Sequence, residues 1–133
     1  MDEVTVSVEA DVNLTESEEK VKKAVDNLFG NLTIEIQPSH KGSLLKAEAK
    51  GQEALIKFRD LLRQDRIRDA ARKALFEVMH GQTISFYLNK QAAFAGHVSF
   101  SEAEAESPLG PIKVTIKCDD PRRLIDWLAP RTA

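Results

Sequence analysis

Apolar and polar residues alternate along several separate stretches of this chain, and this pattern constrains the fold more than any other feature. In the first stretch the apolar positions are Val4, Val6, Val8, Ala10 and Val12. A period of two is typical of a β-strand that buries only one face. The same alternation returns in shorter stretches at residues 32–36, 45–49, 84–88 and 112–116. The sequence therefore predicts a sheet with one covered and one open face.

Four stretches with helical spacing separate or follow these strands. Their apolar positions recur every three or four residues, which is typical of helices that pack one face on a core; the stretches are residues 21–29, 54–62, 67–79 and 122–128. We expect a capping box at Thr15–Glu18 to begin the first helix. A kink or tight turn near Gln64–Arg66 is expected to separate the second helix from the third. Residues 89–93 predict a turn or one short helical turn, and another strand is predicted around Ala95–Ser101.

The order and the short links of these elements favour an α+β fold. Hairpin-length connections pair strands antiparallel, and the amphipathic helices must cover one face of the sheet. The chain has 133 residues, which fits the usual size of one domain. We therefore predict a single α+β domain over residues 1–133, with a twisted antiparallel sheet and helices packed on one face.

Several classes of protein are disfavoured by what the sequence lacks. No apolar run is long enough to span a membrane, and Met1-Asp2-Glu3 does not resemble the start of a signal peptide. The single cysteine, Cys118, cannot form an internal disulfide. We therefore expect a cytoplasmic protein that makes no membrane contact.

Motifs for catalysis or cofactor binding do not occur either. His40, His80 and His97 are far apart and Cys118 has no neighbouring thiol, so no metal-ligand spacing is present. Neither a nucleophile elbow nor a glycine-rich phosphate loop is found. The sequence predicts no catalytic residues, no metal site and no cofactor, and we expect a protein that is not an enzyme.

Charge is distributed unevenly along the chain. Residues 1–36 carry a net charge of −6, whereas residues 57–73 carry seven Lys or Arg against three Asp or Glu, a net charge of +4. On a helix the basic positions avoid the apolar stripe and project into solvent, and the arginine fork suits bidentate contact with phosphate. The predicted phosphate-binding residues are Arg63, Arg66, Arg68, Arg72 and Lys73. The alternative is an ordinary helix face on which Asp65, Asp69 and Glu77 pair with neighbouring cations.

A second candidate set follows the strand at residues 84–88. Asn89, Lys90 and Gln91 stand in a row and offer donors and acceptors for an RNA backbone. The alternative is a polar turn that caps a short helix, and the sequence leaves both interpretations open.

Four strings in the chain resemble a known family: Arg68–Arg72, Phe86–Ala93, Glu106–Ile112 and Leu128–Pro130. They are similar to sequences from an archaeal family of small, conserved and mostly uncharacterised proteins that are labelled RNA-binding. The resemblance implies an α+β fold similar to ribosomal protein L-five, no known catalytic activity, no cofactor, and RNA as a partner.

Two hypotheses for function follow. In the first, the protein is an RNA-binding domain that uses the basic helical stretch for phosphate contacts. In the second, the acidic N-terminal part and the basic middle mediate docking or dimerisation with no nucleic acid, because complementary charges steer association between proteins. A homodimer is compatible with either hypothesis.

Overall fold

A computed structural model describes residues 3–40, 42–101 and 110–131. Within these ranges the strands are β1 (Val4–Asn13), β2 (Thr33–Ser39), β3 (Gly42–Lys50), β4 (Met79–His80), β5 (Thr83–Leu88), β6 (Phe100–Ser101) and β7 (Ile112–Cys118). The helices of the same ranges are α1 (Glu18–Leu28), α2 (Ile56–Gln64), α3 (Arg68–Val78), α4 (Lys90–Phe94) and α5 (Pro121–Leu128), with a 3₁₀ turn at Gln52–Leu55. None of the helices in this part of the chain is both long and apolar enough to cross a lipid bilayer.

The strands form one open antiparallel sheet. Its order is β2-β3-β1-β7-β5-β4, and β6 pairs with β5. The predicted α+β class is confirmed, with helices over one face of the sheet. The likeness to ribosomal protein L-five stays a prediction.

The covered face of the sheet carries the core. In β1 the even-numbered residues from Val4 to Val12 are all at most 3% exposed, so the alternation in the sequence sets which side of the strand faces the helices. Three rings from different elements stack through this core, because the centroids of Phe29 and Phe58 lie 5.4 Å apart and those of Phe58 and Phe86 5.7 Å apart. Offset ring pairs of this kind add about 0.5–1.5 kcal/mol each beyond their buried area.

Three local predictions are wrong. β2 does not end with the predicted stretch at residues 32–36 but runs to Ser39, and Pro38 pairs with Ser43 inside it. The proline is tolerated because β2 lies at the edge of the sheet and one side of it needs no ladder hydrogen bond. The strand predicted around Ala95–Ser101 is limited to β6. The capping box at Thr15–Glu18 does not form, since the N-cap of α1 is Ser17 and its side chain makes no capping hydrogen bond.

Part of one resemblance string, Glu106–Leu109, lies outside the described residues. The predicted break between the second and third helices is confirmed, because α2 ends at Gln64 and α3 begins at Arg68. This break forms a corner on the surface, and several of the predicted phosphate-binding residues lie at it.

Candidate nucleic-acid interface

The corner between α2 and α3 brings three arginines to one place on the surface. Arg63 lies in the last turn of α2, Arg66 in the connecting turn and Arg68 at the first position of α3. Together with Asp69 they line a surface depression of about 440 Å³. We call these residues, Arg63, Arg66 and Arg68, the arginine corner.

Backbone hydrogen bonds fix the shape of the corner. The N–H of Ile67 donates to the carbonyl of Leu62 at 3.0 Å, and the N–H of Arg66 donates to the carbonyl of Arg63 at 3.1 Å. This is the Schellman pattern, which needs a left-handed residue just after the helix and usually has glycine there. Here Arg66 takes that conformation with φ of 58°. A long charged side chain is thus held where the backbone favours glycine.

The arginines of the corner differ in their partners. Arg63 makes an exposed ion pair with Asp60, with 3.0 Å between Nη2 and Oδ1. Such surface pairs contribute only about 0–1 kcal/mol and exchange readily for a better partner. Within the described part of the chain, Arg66 and Arg68 have no carboxylate in ion-pair range. Ile67, the N-cap of α3, has no polar side chain that could cap the first N–H groups of the helix. The positive end of the helix dipole therefore adds to the positive potential at the arginine corner.

The carboxylate within the turn belongs to Asp65, and it is already occupied by other contacts. Oδ1 of Asp65 lies 3.0 Å from Nδ1 of His97, and Oδ2 accepts the N–H of Val98 at 3.0 Å. Burial raises the pKa of the Asp65 carboxyl, but the hydrogen bonds from His97 and Val98 outweigh burial and lower that pKa below its ordinary value. Asp65 therefore braces the corner against the loop after α4. No local pattern in the sequence indicates this contact, which joins residues 32 positions apart.

Arg72 lies in a different environment from the corner. Its Nη2 is 2.6 Å from Oδ1 of Asp126, its Nη1 donates to the carbonyl of Ala129, and its guanidinium lies 5.0 Å from the ring centroid of Phe76. The side chain is only 19% exposed. Arg72 thus joins α3 to α5, while its neighbour Lys73 is exposed and has no ion pair with another described residue.

The Asn89–Gln91 set lies at the start of α4, away from the depression. Oδ1 of Asn89 accepts the N–H of Ala92 at 2.9 Å and so caps the helix. Lys90 is buried, and its Nζ contacts Oε1 of Glu16 at 3.0 Å and the carbonyl of Asp11. Gln91 is exposed and lines a separate pocket between α1 and α4. The two predicted sets of residues therefore belong to two different surfaces.

The open face of the sheet has mixed charge. Across one row the register places Lys46 and Lys113 on either side of Glu9, with Glu35 beyond Lys46. Alternating charges in one row neutralise each other. This face therefore attracts a polyanion less strongly than the arginine corner does. Among the described residues, no three His, Cys, Asp or Glu gather to form a candidate metal site.

A family model described as RNA binding matches residues 5–118 of this chain. The chain is also similar to the UPF0201 protein of Sulfurisphaera tokodaii, with 48% identity over 128 residues that cover 96% of this chain and 88% of the relative. The UPF0201 protein of Sulfolobus acidocaldarius is 47% identical over 128 residues, with the same coverage of both chains.

A solved structure extends this similarity to the fold. The crystal structure of a UPF0201 protein from Methanococcus jannaschii matches with a TM-score of 0.85 and 33% identity, covering 95% of this chain and 99% of that one. Both the sequence and the architecture are thus shared over nearly the whole chain.

Proposed function

The chain belongs to the archaeal UPF0201 family and matches the RNA-binding family model over most of its length, and from this premise we propose that it binds RNA through the arginine corner. Arg63, Arg66 and Arg68 contact phosphates there, with Lys73 extending the basic surface along α3. The role is one of binding and not of catalysis. The cytoplasmic location and the homodimer expected from the sequence stay predictions.

The observation that carries the proposal is that Arg63, Arg66 and Arg68 all line one depression of about 440 Å³. Guanidinium forks bind phosphate oxygens bidentately. The formal net charge of the whole chain is −2, so the attraction for a polyanion must come from a local surface. Arg66 supports the argument, because residues held in sparsely populated backbone conformations cluster at functional sites.

Other predicted RNA-binding residues enter the proposal in supporting roles. Arg72 ties α3 to α5, and Asn89 and Lys90 fix the start of α4. These contacts use the guanidinium of Arg72, the ammonium of Lys90 and Oδ1 of Asn89. Gln91 remains exposed and is available for contact with a bound strand.

Fluorescence anisotropy with a labelled single-stranded RNA tests the proposal. Affinity is measured between about 50 mM and about 200 mM salt, since each neutralised phosphate of a single strand contributes about 0.7 to the log–log salt slope. The double substitution Arg66→Glu with Arg68→Glu should weaken binding at least roughly ten-fold and reduce the slope by about 1.4.

A matched control reverses the same number of charges on the other side of the molecule. Lys50 and Lys117 are exposed on the open sheet face, on either side of Thr5. Lys50→Glu with Lys117→Glu changes the net charge equally, and we expect little change in RNA affinity. Equal losses for the two double variants would mean that only overall charge matters, and no binding at low salt would refute the proposal and favour the protein-docking hypothesis.

A further inference from the structure

We propose that the pocket between α1 and α4 takes one unpaired nucleobase of the RNA strand whose phosphates lie at the arginine corner. The inference rests on the proposed function and adds to it the part of the RNA that is recognised. The pocket has a volume of about 420 Å³, within the range of about 300–1,000 Å³ that is usual for small-molecule sites. Its walls, its polar groups and its position each favour a base.

One side of the pocket is apolar and ends in an aromatic ring. Val21 and Ala24 of α1 are buried and form the inner wall, whereas Phe94 of α4 is 41% exposed at the rim. Proteins that bind single-stranded RNA stack splayed bases on exposed aromatic rings of this kind. Phe94 is the exposed aromatic that this binding mode requires.

The backbone at Phe94 is anchored to α1. Nδ2 of Asn27 donates to the carbonyls of Ala93 and Phe94 at 3.0 and 3.2 Å, which anchors the end of α4 to α1. A stacking platform on an anchored backbone loses little conformational entropy when a base binds, and this favours affinity.

The lining of the pocket also includes polar groups for the edge of a base. Oδ1 of Asn89 is used by the N–H of Ala92, but its Nδ2 has no hydrogen-bond partner among the described residues. Gln91 presents both an amide donor and an amide acceptor, and Thr15 and Ser17 add hydroxyls. Base edges carry mixed donors and acceptors, and side-chain amides and hydroxyls match them.

The charges around the pocket favour a base over a phosphate. Glu16 and Lys90 form an ion pair at the pocket wall and so cancel each other. The first turn of α1 adds Glu18 and Glu19 nearby, which repel a phosphate. The Nζ atom of Lys20 lies over the ring of Phe94, 5.8 Å from its centroid. An entering base displaces this exposed ammonium, which can then contact the backbone of the bound nucleotide.

The pocket and the arginine corner are joined by one short segment. Phe94 lines the pocket, and His97, three residues further on, contacts Asp65 at the corner. Three residues span at most about 11 Å between Cα atoms. Because Asp65 lies in the turn between Arg63 and Arg66, we expect a strand of a few nucleotides to reach from the corner to the pocket.

The test compares a fluorescein-labelled hexanucleotide RNA of mixed sequence with its abasic counterpart, which has the same phosphates but no bases. Phe94→Ala should weaken binding of the base-bearing strand by roughly 5- to 150-fold, the range that the loss of one stacked base gives, and leave the abasic strand unchanged. Phe94→Tyr should retain affinity. Leu14→Ala is the matched control, because Leu14 is 86% exposed and lies outside the pocket.

The outcomes separate this inference from the proposed function. If Arg66→Glu with Arg68→Glu weakens both strands but Phe94→Ala weakens neither, or both equally, the pocket inference is wrong and RNA binding at the corner stands. If neither strand binds at low salt, the proposed function fails. In that case free nucleosides are titrated into ¹⁵N-labelled protein to test the pocket alone. Shifts of the Asn89 and Gln91 side-chain amide signals that Phe94→Ala abolishes would support the pocket inference, and unchanged spectra would overturn it.

Discussion

The Nζ atom of Lys90 lies 3.0 Å from Oε1 of Glu16, and the two side chains are only 8% and 11% exposed. The pair joins α4 to the turn before α1, across 74 positions of the chain. Nζ also donates to the carbonyl of Asp11. Charges at this depth persist only when hydrogen bonds satisfy them. The start of α4, and with it the pocket beside α1, therefore depends on this one ion pair.

Substitution of Lys90 should destabilise the protein strongly. Lys90→Ala leaves the Glu16 carboxylate buried without its cation, and breaking a buried pair in this way costs about 3–5 kcal/mol. Urea unfolding followed by circular dichroism measures the free energy of unfolding. Because removing both charges avoids the unpaired carboxylate, Lys90→Met combined with Glu16→Gln should be more stable than Lys90→Met alone.

Gln91 provides the control for this prediction, since it lies on the same short helix but is exposed. Gln91→Ala should change the free energy of unfolding by less than about 0.5 kcal/mol. Equal stability of Lys90→Ala and Gln91→Ala would show that the ion pair does not hold α4 in place.

Acid should weaken the fold partly through Glu16. Burial raises the pKa of its carboxyl, but hydrogen bonds from Asn13 and Lys90 outweigh burial and lower that pKa below the ordinary value of 4.5. The folded state therefore holds this proton less tightly than the unfolded state, so the stabilisation is present above about pH 4.5 and lost as the pH falls through the lowered pKa. Urea midpoints at neutral pH and below pH 4.5 should fall less for Glu16→Gln than for the unchanged protein.

The pKa of Asp65 is shifted in the same direction as that of Glu16, so Asp65 provides a comparison. The pKa of its carboxyl is also lowered, so the Glu16→Gln variant should keep part of the acid sensitivity. An identical loss of stability in Glu16→Gln and the unchanged protein would contradict a role for Glu16 in acid unfolding.

The sheet could be predicted from sequence because its signal is local. The alternation from Val4 to Val12 fixes which face of β1 is buried, whatever the neighbouring strands are. The order of the strands could not be predicted in this way. β1 lies between β3 and β7, which begin 29 and 99 positions after the end of β1. No periodic pattern encodes such pairings.

The basic residues could be identified from sequence, but which of them lie together on the surface could not. Helical spacing groups Arg68 with Arg72, which are four residues apart, yet the structure separates them because Asp126 of α5 draws Arg72 into an ion pair. The arginine corner instead depends on the reversal of the chain at Arg66. The conformation of that turn is set by packing and backbone hydrogen bonds between two helices, which local spacing does not reveal.

The same limit applies to the pocket. Phe94 directly follows the turn predicted at residues 89–93, and the pocket beside it forms because α4 packs on α1, where Asn27 anchors the backbone of Ala93 and Phe94. The partner of the Asn89–Gln91 stretch, Glu16, is more than 70 residues away in the chain. Buried ion pairs between distant segments leave no mark in a single sequence.

Replacing Arg66 with glycine should separate stability from function. Arg66 has φ of 58°, a conformation in which glycine lacks the steric cost that other residues incur. Arg66→Gly should therefore raise the free energy of unfolding by about 0.5–1 kcal/mol, the steric cost of about 1–2 kcal/mol less the entropy of about 0.5–1 kcal/mol that glycine loses on folding, while weakening RNA binding through the lost guanidinium. Arg63→Gly is the control, because glycine inside α2 should lower stability by about 1 kcal/mol. Urea unfolding and RNA anisotropy on both variants test this, and a less stable Arg66→Gly protein would show that the turn does not favour glycine.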